Sequence, residues 1–403
     1  LHRGDGGHHL AKGTKTPPGM SRTRLTTLLP AARRLLLLVA FNVLLTALLL
    51  EGALLVGQAL HPTYVLWDES PEAFRVALLR GEESNPHFAY RWNSHGFHDD
   101  EHFTARQGDH VVALLADSFG VGVVPYERNL ATVAERRLQL LLGAKVTGRV
   151  AIHNLGVTRI GMDGYAYMAR TEVPRLRPAQ VVLAIFVGND IEGFIEARSA
   201  PGALRQRLSP KGWLLWRVLQ RVRKLRQALA KHGKDDSSPP KEGGNPLAYL
   251  DDPSLELPFF SEEAFLTIER DKLTLLDPAD LDNKDRFQRF FVALDHFRRL
   301  YGDRLLVALL PDELQVNDSL WRRLIARPGG PLSLERDLPQ RLIMGWCAQQ
   351  GIRALNLLPI LRQAEVGGRT YHLRDTHFNT RGNRVVGEAL AHELARLHTG
   401  AAR

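Results

Sequence analysis

Hydrophobic and polar positions divide the chain into stretches of different character. Over residues 35–50 every position is apolar except Asn42 and Thr46, and the run resumes over 53–56 after Glu51 and Gly52. That is close to the roughly 20 mostly apolar residues a helix needs to cross a bilayer. Arg22, Arg24, Arg33 and Arg34 precede the run, and basic flanks stay on the cytoplasmic side, so the chain beyond Leu60 is expected outside. A cleaved signal peptide, with Gly57 and Ala59 as small residues near the cut, is the competing reading. The apolar run is longer than a usual signal core. The expectation is a single-pass signal-anchor over 35–57 behind a disordered, basic cytoplasmic tail over 1–34. Met20, followed at once by an Arg-bearing segment, reads as the natural start.

From residue 111 onward, short apolar runs alternate with amphipathic stretches. Residues 111–115, 181–187 and 305–310 have the continuous apolar character of buried strands, and 150–153 and 352–355, with His153 and Arg353 as single polar positions, read as two more. Helical periodicity fills 130–142, 165–170, 287–301 and 380–397 between and after them. Strands separated by helices predict an α/β fold, a central parallel sheet with helices on both faces. The rhythm breaks over 192–283, an insertion that carries a basic amphipathic stretch at 213–232 and a Gly/Pro/Ser-rich loop at 233–244. Such a helix suits an anionic membrane surface, and equally a solvated face on its own domain. Residues 58–108 read as a connecting segment, with the main domain over 109–403.

Composition narrows the chemistry. With 403 residues and 44% of them hydrophobic, the chain can bury one sizeable core and still carry appendages. The net charge of +9 is not interleaved with aromatics in a nucleic-acid motif, so no nucleic-acid partner is expected. Cys347 is the only cysteine, which excludes an internal disulfide and a Cys-rich zinc site; in its apolar run it reads as core packing. His95, His98 and His102 lie beside Asp99, Asp100 and Glu101 and raise the thought of a metal site. Their spacing matches no ligand pattern of stated geometry, so neither metal nor cofactor is expected.

Four short blocks stand at strand ends or at a helix start, where ligands bind in open α/β sheets. They are Ala116 to Gly120 with Asp117 and Ser118, then Asn154 to Gly156, then Gly188 to Asp190 with Asn189, and finally Asp375 to Asn379 with His377. Acyl transfer to a serine needs a base for its proton, a group that fixes the imidazole, and donors for the oxyanion. Ser118 is the expected nucleophile, His377 the base and then acid, and Asp375 the partner of the imidazole. The Ser118 and Gly156 amides, with the Asn189 side chain, are the expected oxyanion hole. The first block differs at one position from a nucleophile elbow, but that fold draws its Asp and His from separate loops and leaves Asn189 idle.

In these blocks the chain resembles the SGNH (GDSL-like) hydrolase superfamily, whose signature residues match Ser118, Gly156, Asn189 and His377. The resemblance implies a flavodoxin-like three-layer sandwich acting on esters, with an O-acyl group on a carbohydrate or lipid as substrate class. Residues 91–97 are also similar to sequences that introduce the domain in anchored bacterial members. Two positions depart from the family pattern: Ala116 replaces the usual Gly, and Asp375 stands two residues before His377 instead of three. The shorter spacing is similar to that of alginate O-acetylation proteins and of some anchored hydrolases. The expected function is an extracytoplasmic serine esterase at the cell membrane. An O-acetyltransferase acting on an extracellular polysaccharide is the alternative, and a non-catalytic binding module a third.

Overall fold

A computed structural model of the protein describes residues 22–60, 88–191, 253–326 and 333–400. Its centre is a five-stranded sheet of β1 (His110–Ala116), β2 (Val150–Gly156), β3 (Gln180–Phe186), β4 (Leu305–Leu310) and β5 (Arg353–Asn356). The spatial order is β2-β1-β3-β4-β5, and every neighbouring pair is parallel. This is the flavodoxin-like order, whose crevice opens where the chain turns from one side of β1 to the other, between β1 and β3.

Strand side chains alternate between two cores, which is why the central strands read as unbroken apolar runs. Ala113, Leu115, Val181, Leu183, Ile185, Val307 and Leu309 face one side, where they meet Tyr165, Phe290, Leu294 and Phe297. Val112, Leu114, Val182, Ala184, Leu306 and Leu310 face the other, against Leu130, Leu138, Leu361, Leu390 and Leu394. Helices Met162–Thr171, Leu281–Tyr301 and Leu338–Gln349 cover the first face. Helices Leu130–Leu142, Leu358–Glu365 and Thr380–Gly400 cover the second, completing three layers. Cys347 is fully buried on the first face, and burial pushes its thiol up to about 12, so it is inert packing as expected.

Three boundaries differ from expectation. The N-terminal helix spans Arg22–Leu60, so residues 22–34 are helical and not a disordered tail. The helix formers Leu25, Leu28, Leu29, Ala31 and Ala32 extend the apolar run backwards. Its part Arg33–Leu54 is long and apolar enough to cross a membrane, and nothing else in the described protein covers it. Asn42 donates its side-chain amide to the Leu38 carbonyl at 2.8 Å, which takes up one of its two N–H groups. Second, residues 88–108 pack on the domain and do not merely lead to it: Phe97 is fully buried in the same core as Leu115 and Tyr165. Ala105 donates its N–H to Leu176 O at 2.9 Å. Third, the end of the insertion is folded, with Phe265 of helix Glu262–Lys272 and Leu276 packed on Leu314, Leu320 and Leu324. The expected basic helix at 213–232 and the loop at 233–244 lie outside the described residues.

Candidate active site

Ser118 opens a helix of four residues, Ser118–Val121, directly after β1. Asp117 caps it by accepting the Phe119 N–H at 2.9 Å. A single turn cannot hold itself in water, because nucleation costs more than one hydrogen bond returns. Here side chains from elsewhere take up its last carbonyls. Asn129 Nδ2 donates to Gly120 O and Val121 O at 2.9 and 3.0 Å, and Asn154 Nδ2 to Gly120 O at 2.8 Å. His98 Nδ1 lies 2.8 Å from Val121 O, and Tyr90 OH donates to Gly122 O at 3.1 Å. Burial keeps His98 below the usual histidine range despite the pull of that carbonyl and of Asp99.

His377 sits in a tight loop before the last helix. The loop is closed by the His372 N–H on His377 O at 3.0 Å, by an antiparallel bridge between Tyr371 and Phe378, and by Arg374 in the left-handed region at φ 55°. Asn379 fastens it from inside, donating Nδ2 to Arg369 O and Tyr371 O at 2.8 and 3.1 Å. The loop thereby brings the imidazole over Ser118, 259 residues earlier: His377 Nε2 is 2.9 Å from Ser118 Oγ. On its other side His377 Nδ1 is 2.7 Å from Asp375 Oδ1, which also accepts the His377 backbone N–H at 3.1 Å. Two residues of separation suffice because one carboxylate oxygen takes both donors.

Electrostatics follow from these contacts. Burial works to raise Asp375, but the hydrogen bonds and charge of His377, with the charge of His372, more than offset it and hold the carboxyl below the usual range. Burial works to lower His377, and it is outweighed by the Asp375 hydrogen bond, the Asp375 charge and Asp117, so the imidazole is raised. Asp117 is fully enclosed and pushed up to about 6, chiefly by burial, against the Phe119 amide, His377 and the Asn189 side chain.

Two of the expected oxyanion donors stand just beyond the ends of β1 and β3. The Ser118 N–H is in the first helical turn, where amides have no intrahelical partner. Asn189 is exposed in the turn after β3, across the switch point from Ser118, with its side chain next to Asp117. Gly156 is a different matter: its N–H donates to Asn154 Oδ1 at 3.0 Å, inside the protein. What the position requires is the absence of a side chain, since a Cβ there would lie 2.7 Å from Gly120 C and Val121 N. Gly156 is where β2 and the nucleophile helix approach most closely, and its amide is already spent.

No family model matches the chain, and no curated protein does. Among solved structures the chain is similar to a lipase/acylhydrolase from Enterococcus faecalis, at 12% identity, 71% coverage of this chain, 96% of that chain and a TM-score of 0.33. A second solved structure is 12% identical over 73% of this chain and 99% of its own, with a TM-score of 0.26. The chemistry therefore rests on the site's own atoms.

Several residues around the site carried no signal in the sequence. The end of the insertion runs along the histidine loop: Phe259 and Phe260 donate their N–H groups to Leu373 O and Arg374 O at 3.0 and 3.2 Å. Glu256 binds His372 and, at 3.0 Å, Arg369. Lys272 is half-buried between Glu269 and Asp312, 2.7 Å from a carboxylate oxygen of each, and its charge works against protonation of His377. Tyr165 OH donates to Asp190 Oδ2 at 2.7 Å, and the same oxygen accepts the Phe186 N–H at 2.9 Å, fixing the turn that carries Asn189. Asn154 stood in a recognised block, but its neighbour Gly156 drew the role that Asn154 shares in organising.

Proposed function

We propose that the protein is a membrane-anchored serine esterase of the SGNH type that works through an acyl-enzyme. The observation that carries this reading is the continuous contact chain from Ser118 Oγ through His377 to Asp375, at 2.9 and 2.7 Å. His377 Nε2 takes the Ser118 proton as Oγ attacks the ester carbonyl, and Asp375 stabilises the imidazolium that forms. Nδ1–H on the Asp375 side keeps the Nε2 lone pair toward serine. The Ser118 N–H and the Asn189 amide receive the negative charge that develops on the carbonyl oxygen, a contribution of about a hundredfold to a thousandfold per donor. His377 then returns its proton to the leaving alcohol, and water reverses the sequence on the acyl-enzyme. The substrate class is an O-acyl group on a carbohydrate or lipid, and the domain works outside the membrane. The arginines before the apolar helix support that side, and a reporter fused after Arg403 that is active in the cytoplasm would refute it.

The test is to expose the purified protein to a fluorophosphonate probe and to a panel of acetylated sugars and aryl esters. Labelling and turnover are expected in the natural chain and neither in Ser118→Ala, with the fold retained. Undiminished turnover in Ser118→Ala ends the proposal. Turnover that depends on an added sugar hydroxyl selects the O-acetyltransferase, which shares every step up to the acyl-enzyme.

A further inference from the structure

On the outer edge of the sheet, away from Ser118, three side chains with metal-binding atoms converge. Asp99 and His102 come from the segment before β1, and His153 from the middle of β2, the edge strand. One ligand atom from each lies within 4.8 Å of the other two. His102 Nε2 and Asp99 Oδ2 are 3.0 Å apart, near the roughly 3.4 Å between two ligands of a tetrahedral shell with bonds of about 2.1 Å. We propose that Asp99, His102 and His153 bind one divalent cation of the zinc class.

The surroundings fit a cation better than they fit the bare cluster. Asp99 and His153 are buried, yet both also line a cleft of about 440 Å³ that opens to solvent. Asp100, Glu101 and Glu135 line the same cleft, with Asp100 paired to Arg91 at 2.5 Å. Arg149 is the one arginine or lysine lining it. It is committed to Asp109 at 3.3 Å and lies over the Phe103 ring at 3.5 Å. The cleft supplies both an entry path and the open fourth position that a three-ligand site keeps.

Asp99 and His153 are also held by backbone groups, as metal ligands usually are. Asp99 accepts the Asp100 N–H on Oδ1 and the Asn154 N–H on Oδ2, at 2.9 and 2.8 Å. His153 Nε2 lies 3.1 Å from Phe103 O and 3.2 Å from the Phe103 N–H; in the tautomer that donates to the carbonyl, Nδ1 keeps the lone pair a metal needs. The two imidazole rings lie side by side, 4.6 Å apart. Two imidazoles and a single carboxylate favour zinc over calcium or magnesium, which take all-oxygen shells. The bound ion would fasten the segment before β1 to β2 beside Asn154, which holds Gly120 O and the Gly156 N–H. This inference does not depend on the esterase reading.

The experiment uses the full chain in detergent with His2, His8 and His9 replaced by alanine, so that the N-terminal histidines cannot account for uptake. After stripping with a chelator, Zn²⁺ is titrated against a chromogenic competitor, and Co²⁺ is added to a second sample for its absorption spectrum. One Zn²⁺ per chain, tetrahedral Co²⁺ bands and a raised melting temperature are expected. Affinity should fall by roughly a hundredfold or more in His153→Asn and in His102→Gln. Two variants guard against one that fails to fold, and cooperative melting of each without metal is the control. Failure of the parent chain to take up Zn²⁺, or unchanged affinity in the folded variants, overturns the proposal.

Discussion

Replacing Gly156 with alanine separates two roles for that residue. The new Cβ would lie 2.7 Å from Gly120 C and from Val121 N and 2.9 Å from Gly120 Cα. Ordinary contacts begin near 3.4 Å, so the backbones must part by about 0.7 Å. β2 has little room to retreat, because Gly156 is paired in register with Ala116 and flanked by the fully buried Leu155 and Val157. The four-residue helix must yield instead, and overpacking of this kind costs about 1–3 kcal/mol. Ser118 rides on that helix, so its 2.9 Å contact with His377 stretches. A misplacement near 1 Å costs about a hundredfold in rate. Alanine keeps the backbone N–H, and a residue acting only as an oxyanion donor would tolerate it. The expected outcome is a lowered melting temperature together with a loss of about ten- to a hundredfold in kcat/KM against an aryl acetate. Thermal melting and initial rates read both, and a variant with the parent's stability and turnover would refute the packing argument.

Two further predictions concern charge. His377 must be neutral to act as base, and its pKa is raised above the ordinary histidine value by Asp375, so activity should be lost as pH falls through that raised value. Asp375→Asn removes the carboxylate that raises it most, so the acid limb of kcat/KM should move to lower pH while the rate falls by up to about 10⁴-fold; an unmoved limb contradicts the assignment. In the Lys272 cluster, burial and the neighbouring Asp312 push Glu269 up to about 9, so it carries a proton at neutral pH. Glu269→Gln should therefore cost less than about 1 kcal/mol, whereas Lys272→Met leaves Asp312 buried without its cation and should cost about 3–5 kcal/mol. Denaturant unfolding distinguishes the two, and equal losses would show that Glu269 is ionised.

The sheet was legible because its central strands are buried on both faces and so lack the polar alternation that hides a strand among turns. β5 was harder: all four of its residues are half-buried at the sheet edge, and its apolar signal is displaced by one residue. The helix Leu338–Gln349 was missed as a helix because its buried positions include Leu338, Ile343 and Cys347, while the contiguous apolar run 342–347 masks the period. Ser118, Asp375 and His377, which the fold brings into contact, could be picked out because each sits at a strand end or before a helix, where local pattern marks a candidate site. Contacts such as Glu256 with His372, 116 residues apart, leave no local trace. The same holds for His153, which joins Asp99 and His102 only through the pairing of β2 with the segment before β1.

That segment gives the last prediction. Its residues 88–108 were expected to connect an anchor to a domain starting at 109, yet they contribute Tyr90 and His98 to the carbonyls of the nucleophile helix. They also bury Phe97 in the core, and Asp99 accepts the N–H of Asn154, which itself holds Gly120 O. A chain beginning at 109 would leave the Gly122 carbonyl and the Asn154 N–H without these partners, take one of two donors from the Val121 carbonyl, and open the cavity that Phe97 fills. Losing a buried phenylalanine costs about 3–5 kcal/mol, and each stranded buried polar group about 1–3 kcal/mol more. Against a typical stability of about 5–15 kcal/mol, that sum removes most or all of the margin. A chain beginning at 88 keeps every one of these contacts. It should melt cooperatively and label with a fluorophosphonate, while the chain beginning at 109 should do neither. Equal labelling of the two would show that the nucleophile helix holds its geometry without the segment, and would restore the boundary at 109.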